Sequence, residues 1–120
     1  MLADQGATVI EIQNHASASG DKFDLMCRGK HKIALNLKNS SEKEFLLKDI
    51  IPHIDVLLES YRPGVMEKLG LSPQEVHKIN PKVIFVRLSG FGQVESKYKE
   101  RAGHDINYLA ITGILNRFKR

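Results

Sequence analysis

The chain of 120 residues has little of what disulfide-stabilised, metal-binding and membrane-spanning proteins rely on. Cys27 is its one cysteine, which excludes a disulfide within the chain and argues against a cysteine-based metal site. A lone thiol favours a reducing, intracellular compartment. No run of about 18 apolar residues predicts a membrane span. The amino terminus lacks a basic segment followed by an apolar core, so it does not predict a signal peptide.

Charge of one sign is not concentrated in any long run either. The formal net charge is +4 and the sequence pI is about 9.3, which suits an anionic ligand without demanding nucleic acid. The basic residues are scattered, apart from a cluster at Arg28, Lys30, His31 and Lys32. RNA-binding and zinc-finger patterns are absent, as is an aromatic stacking motif. A nucleic-acid-binding domain is therefore disfavoured.

Apolar and charged residues are present in ordinary globular amounts, 42% and 27%. Short β-branched runs alternate with capped helical patterns, which predicts an α/β fold with a Rossmann-like parallel sheet and flanking helices. We expect one partial domain over residues 1–120, truncated at both ends, since Gly6 follows what looks like the last turn of a helix. The four predicted strands cover residues 8–12, 33–37, 56–59 and 83–88.

Helix and loop signals separate these strands. Two capping boxes, beginning at Ser41 and Ser72, predict helices, the first interrupted at Pro52 and the second at Pro81. A turn at residues 62–64 opens a short helix that ends near Gly70. The remaining predicted elements are a small polar loop at residues 14–21 and a closing helix at residues 103–115.

His104 is the leading candidate for chemistry. It follows a strand and a glycine-rich turn and begins a predicted helix, where ligand sites of α/β folds gather. The helix dipole disfavours a charged imidazole there, and a neutral imidazole can accept a proton near pH 7. The alternative is an ordinary surface or core histidine, which is the more frequent role of a single histidine.

Three other stretches carry weaker signals. Arg28 and Lys30 beside Gly29 suit phosphate recognition, although a solvated turn explains them as well. Glu59, Tyr61 and Arg62 end a strand, where either a ligand contact or a purely structural role is expected. The glycines of residues 89–92 allow close backbone approach or positive φ, or form a plain tight turn. Cys27 has no recognisable base partner, and the remaining histidines form no metal-ligand pattern.

Several phrases, in order along the chain, resemble the α-methylacyl-CoA racemases, members of the family III CoA-transferase superfamily. Their order and their coverage of nearly the whole chain make the resemblance specific. The phrases are Leu-Ala-Asp-Gln-Gly-Ala at 2–7, Arg-Gly-Lys at 28–30, Leu-Asn-Leu-Lys at 35–38, Asp-Val-Leu-Leu-Glu at 55–59, Tyr-Arg-Pro-Gly-Val at 61–65, Met-Glu-Lys-Leu-Gly-Leu at 66–71, Arg-Leu-Ser-Gly-Phe-Gly-Gln at 87–93 and Ala-Gly-His-Asp-Ile-Asn-Tyr-Leu at 102–109.

The resemblance implies an isomerase that epimerises 2-methylacyl-CoA thioesters by 1,1-proton transfer. His104 matches one of two bases that serve opposite faces of the α-carbon, and the other, an Asp, would lie beyond Arg120. The related CoA-transferases usually carry an aromatic residue at the position of His104. With one base of the pair, the 120 residues by themselves are expected to have negligible racemase activity.

The resemblance also implies where acyl-CoA binds. No cofactor is expected, because the acyl-CoA thioester is itself the substrate. The family implies a homodimer and a peroxisomal or mitochondrial location, although the chain carries no targeting signal. A non-catalytic CoA-binding or dimerisation module and a piece of a CoA-transferase remain alternatives. The implied substrate- and CoA-binding residues are Arg28, Leu35, Asn36, Leu37, Lys38, Gly103, His104, Asp105, Ile106, Asn107 and Tyr108.

Overall fold

A computed structural model describes residues 1–15 and 25–118, which fall into two compact units, Met1–His53 and Ile54–Arg120. Most of the loop predicted at residues 14–21 lies outside the described residues. Each unit contains one pair of parallel strands together with helices, so the predicted α/β class with parallel strands is confirmed. The strand pairing takes the form of two two-stranded sheets.

In the first unit, β1 (Val9–Gln13) pairs in parallel with β2 (Lys30–Ala34), with Val9 opposite Lys30 and Gln13 opposite Ala34. β2 begins and ends three residues before the predicted 33–37, so that prediction was displaced. The basic residues at the start of β2 can pair with β1 because the ladder uses backbone groups. The Lys30 ammonium also forms an ion pair with the half-buried Glu11, at 3.0 Å.

Helix α1 (Ser40–Phe45) starts earlier than the Ser41 capping box predicts. Asn39 is the N-cap: its side-chain oxygen accepts the amides of Ser41 at 2.9 Å and Glu42 at 3.4 Å. Beyond Phe45 the helical path widens over Leu46–Ile50 and tightens over Ile51–His53, which contains Pro52. This segment supplies most of the unit's buried apolar side chains, namely Leu46, Ile50 and Ile51.

The second unit contains a strand–helix–helix–strand crossover. β3 (Val56–Glu59) leads to α2 (Val65–Lys68) and α3 (Pro73–Ile79), and β4 (Ile84–Arg87) returns parallel to β3. The capping prediction at Ser72 is confirmed, because its hydroxyl accepts the Glu75 amide at 3.2 Å. The core of this unit is formed by Met66, Leu71, Val76 and Val83.

The closing helix is shorter than predicted. α4 covers Asp105–Ile111, and a separate 3₁₀ turn covers Ile114–Phe118. Gly113 lies between them with φ of 76°, in the left-handed region that ends α-helices. Within residues 1–15 and 25–118, no helix combines the length and apolar character that crossing a membrane requires.

Candidate functional site

His104 occupies the N-cap of α4, with extended backbone angles of φ −115° and ψ 167°. Asn107 fixes this geometry from the first turn: its Oδ1 accepts the His104 amide at 2.9 Å, while its own amide donates to the His104 carbonyl at 2.9 Å. The His104 side chain is exposed. The residue with the predicted chemistry is therefore held by its backbone, and its imidazole faces solvent.

The Tyr108 phenol joins the start of α4 to the loop after β4. A Cβ placed on Gly90 would collide with its hydroxyl, and one placed on Gly103 would stand 2.7 Å from its Cζ. The Tyr108 ring also lies against Phe91, with centroids 5.4 Å apart. Of the alternatives for the loop glycines, close approach is the one observed at Gly90, and the approaching group is a tyrosine of the candidate site.

The six residues 103–108 thus share one short segment at the beginning of α4. Asn107 serves the helix start, Tyr108 is half-buried against the glycines, and the side chains of Asp105 and Ile106 are exposed. The first turn of α4 therefore presents both polar and apolar side chains to solvent.

In the first unit, Arg28 stands in the turn before β2 and is 80% exposed at its side chain. Its guanidinium donates to Asp4 Oδ1 from Nη2 at 2.8 Å and from Nε at 3.2 Å. The pKa of Asp4 is lowered from its ordinary value, first by hydrogen bonding to the charged amino terminus and then by Arg28. Arg28 therefore pairs with an anionic group of its own unit.

Residues 35–38 follow β2 and differ in exposure. The side chain of Leu35 is buried, Asn36 and Leu37 are half-buried, and Lys38 is exposed. Asn36 Oδ1 accepts the Lys38 amide at 3.1 Å, which closes a local turn. Lys38 is the one residue of this stretch whose charge reaches solvent.

Glu42 holds this turn in place, a role that the capping-box interpretation missed. Its Oε2 accepts the Asn36 amide at 2.7 Å and meets His15 Nε2 at 2.8 Å. The Asn36 amide, followed by His15, lowers the pKa of Glu42 from its ordinary value. No spacing in the sequence connects His15 with Glu42, because His15, two residues after the end of β1, reaches Glu42 of α1 only in the folded unit.

At the carboxyl ends of β3 and β4, Glu59 and Arg87 are cross-strand partners. Arg87 Nε donates to Glu59 Oε1 at 2.6 Å, and the Tyr61 amide donates to Glu59 Oε2 at 2.7 Å. Arg87 also binds Glu67 with two nitrogens, at 2.6 and 3.1 Å. Both oxygens of the buried Glu59 are engaged, which supports the structural role for it, whereas Tyr61 and Arg62 are exposed.

Among the described residues, no cluster of three or more His, Cys, Asp or Glu side chains is placed to hold a metal ion. Cys27 is half-buried, and its thiol approaches Glu11 Oε2 at 3.9 Å. The candidate chemistry therefore rests on His104 and on the charged groups around Arg28 and Lys38.

Comparison with known proteins places the chain in a family. Residues 1–118 match CoA-transferase family III. The chain is 46% identical over 120 residues to an alpha-methylacyl-CoA racemase of Mus musculus, covering 100% of this chain and 30% of that protein. It is 35% identical over 129 residues to a succinyl-CoA–D-citramalate CoA-transferase of Chloroflexus aurantiacus, covering 95% of this chain and 31% of that protein.

A solved structure agrees with these sequence relationships. The crystal structure of a hypothetical protein from Mycobacterium tuberculosis superimposes with a TM-score of 0.78 at 32% identity, covering 94% of this chain and 34% of that one. The chain thus spans about a third of the length of the relatives that it matches. On the match of residues 1–118, the chain belongs to CoA-transferase family III.

Proposed function

We propose that this chain contributes one catalytic base, His104, to an α-methylacyl-CoA racemase that epimerises 2-methylacyl-CoA thioesters. The observation that carries the proposal is the exposed imidazole at the first turn of α4, held through its backbone by Asn107 at 2.9 Å. The 46% identity to the mouse racemase, against 35% to the Chloroflexus transferase, supports the racemase over its transferase relatives.

The chemistry required is removal and return of a proton at one carbon. A thioester carbonyl delocalises the charge left on the α-carbon, which makes that carbon acidic enough for a nearby base. His104 takes the proton from one face, and an acid on the opposite face returns a proton with inversion. The resemblance assigns only one of these two groups to the 120 residues, so racemisation requires a second group from outside them.

Recognition of the CoA portion is the second part of the proposal. Arg28 is exposed and already binds a carboxylate, and Lys38 presents an exposed ammonium in the same unit. An exposed ion pair such as Arg28–Asp4 is weak in water, so a phosphate can replace Asp4 as the partner of Arg28. The homodimer and the organelle location remain predictions from the resemblance.

The test uses two chimaeras in which these 120 residues replace the matching third of either the mouse racemase or the Chloroflexus transferase. Loss of the α-proton signal of each 2-methylacyl-CoA enantiomer in D₂O is followed by proton NMR. We expect the racemase chimaera to exchange both enantiomers and the transferase chimaera to transfer no CoA. The reverse pattern would assign the chain to the transferases.

Substitution of His104 then identifies its face of the substrate. In the active racemase chimaera, His104→Ala should slow exchange from one enantiomer by about 10²–10⁴-fold, because each base serves one face. The control is His53→Ala, which removes an exposed histidine outside the candidate site and should leave both rates unchanged. Equal exchange of both enantiomers after His104→Ala would remove His104 from the mechanism.

A further inference from the structure

We propose that Tyr108 is a positioning residue for His104, and that Gly90 and Gly103 are kept small to admit its phenol. The inference rests on the proposed function of His104 and extends it to the parts that hold the base in place. It begins from the steric relation of three residues. The Tyr108 hydroxyl occupies the space where a Cβ on Gly90 would stand, and it is 2.5 Å from where a Cβ on Gly103 would stand.

The two glycines meet different parts of the phenol. At Gly90 the hydroxyl is the main obstacle, since Cζ, at 3.2 Å from the Cβ position, is a tight contact and Cε1, at 3.5 Å, an ordinary one. At Gly103 the ring blocks the position as well as the hydroxyl, with Cζ at 2.7 Å and Cε1 at 2.8 Å. The phenol therefore approaches the loop after β4 mainly with its hydroxyl, and the residue before His104 with both its hydroxyl and its ring.

The position of Tyr108 is linked to that of His104 through the first turn of α4. Its amide donates to the His104 carbonyl at 3.3 Å, and Gly103 is bonded directly to His104 in the chain. Phe91 supports the ring from the loop side, with centroids 5.4 Å apart and planes inclined by 56°. Displacing the phenol would move both flanks of His104, and a misplacement of about 1 Å can cost about 10²-fold in rate.

Tyr98 provides a matched control. It lies against the same Phe91, with centroids 5.6 Å apart, and it is a tyrosine of the same unit. The three atoms nearest to a Cβ on Gly90 or on Gly103 all belong to Tyr108. A variant of Tyr98 therefore removes aromatic contact with Phe91 and leaves the nearest group at both glycines in place.

The first experiment measures exchange of the His104 amide in the 120-residue chain, because this amide reports the start of α4. Gly90→Ala and Gly103→Ala should each raise the exchange rate at least tenfold. Adding Tyr108→Phe should restore most of the slow exchange in Gly90→Ala, where the hydroxyl is the nearest obstacle to the new methyl group. It should not restore slow exchange in Gly103→Ala, where the ring remains in the way.

Protection of the Val76 amide, in the buried part of α3, monitors folding of the unit in the same spectra. If a glycine variant loses that protection as well, the same pattern of rescue is sought in its urea midpoint. Rescue of both glycine variants, rescue of neither, or unchanged His104 exchange in Gly90→Ala would overturn the proposal.

The second experiment separates positioning from general support of the fold. In the racemase chimaera, Tyr108→Leu should lower kcat for the enantiomer served by His104 by about 10²-fold, with KM within about threefold. Tyr98→Leu should change neither constant by more than about twofold. Equal effects of the two variants would overturn the positioning role. A parent chimaera without exchange would instead refute the proposed function, and the amide measurements would still decide on Tyr108.

Discussion

Two arginines of this chain bind carboxylates in contrasting surroundings. Arg28, in the first unit, is 80% exposed and pairs with Asp4 near the amino terminus. Arg87, in the second unit, is 16% exposed and pairs with Glu59, whose side chain is 3% exposed, and also with Glu67. The same chemistry therefore leaves one guanidinium open to an incoming anion and commits the other to the fold.

Burial explains the difference. Removing a charge from water is costly, so a buried carboxylate persists only when it is paired and hydrogen-bonded. Glu59 meets this condition with Arg87 and with the Tyr61 amide. Water solvates Arg28 and weakens its pairing with Asp4, so exchange of partners there costs little. Three predictions test this contrast, in order of decreasing expected effect.

Arg87→Met should have the largest effect, because it leaves the buried Glu59 carboxylate without its charged partner. We expect the free energy of unfolding to fall by about 3–5 kcal/mol. Arg28→Met, the exposed counterpart, should cost no more than about 1 kcal/mol. Urea unfolding followed by circular dichroism measures both. Combining Arg87→Met with Glu59→Leu should recover part of the loss, and equal costs for the two arginine variants would contradict the contrast.

The acid limb of stability should depend on Glu67. Hydrogen bonds from Arg87 hold the pKa of Glu67 below its ordinary value, so the folded protein binds fewer protons at this group than the unfolded chain does. The stabilisation that Glu67 contributes to the folded state is fully present at neutral pH. It is lost as the pH falls from the ordinary glutamate pKa, about 4.3, through the lower pKa of Glu67 in the folded state.

Glu67→Gln should therefore flatten the fall in unfolding free energy between about pH 5 and pH 3. The pKa of Asp4 is also lowered, but its partners are the charged amino terminus and the exposed Arg28. Asp4→Asn should change the acid limb less, since water screens that pair. Urea titrations at several pH values measure the slopes, and a larger change for Asp4→Asn would reverse the proposed ranking.

The smallest expected effect concerns CoA. If Arg28 binds a phosphate of CoA, Asp4 competes with that phosphate, and Asp4→Asn should tighten CoA binding about two- to fivefold at low salt. Arg28→Gln should weaken binding and remove the effect of Asp4→Asn in the double variant. Isothermal titration of CoA into the chain measures each affinity. Independent effects of the two substitutions would separate Arg28 from the CoA site.

Local signals predicted the elements whose ends are set by local chemistry. Ser72, followed by Pro73 and then Glu75, begins α3 as predicted, and β3 covers the predicted residues. The displaced β2 and the earlier start of α1 show the limit of such signals. Asn39 accepts the amides of Ser41 and Glu42, so the helix begins before Ser41 could cap the Glu44 amide. Pairing with β1 selects which residues of a long β-prone stretch form the ladder.

The candidate site divides in the same way. The position of His104 at a helix start, the α/β class and the family resemblance were all accessible from the order of residues along the chain. Three contacts could not be predicted in this way. They are the ion pair of Arg87 with Glu59, the hydrogen bond from the Asn36 amide to Glu42, and the packing of Tyr108 against Gly90 and Gly103. Arg87 and Glu59 are 28 residues apart and Asn36 and Glu42 only 6, yet no local pattern pairs them, because burial and close packing exist only in the folded chain.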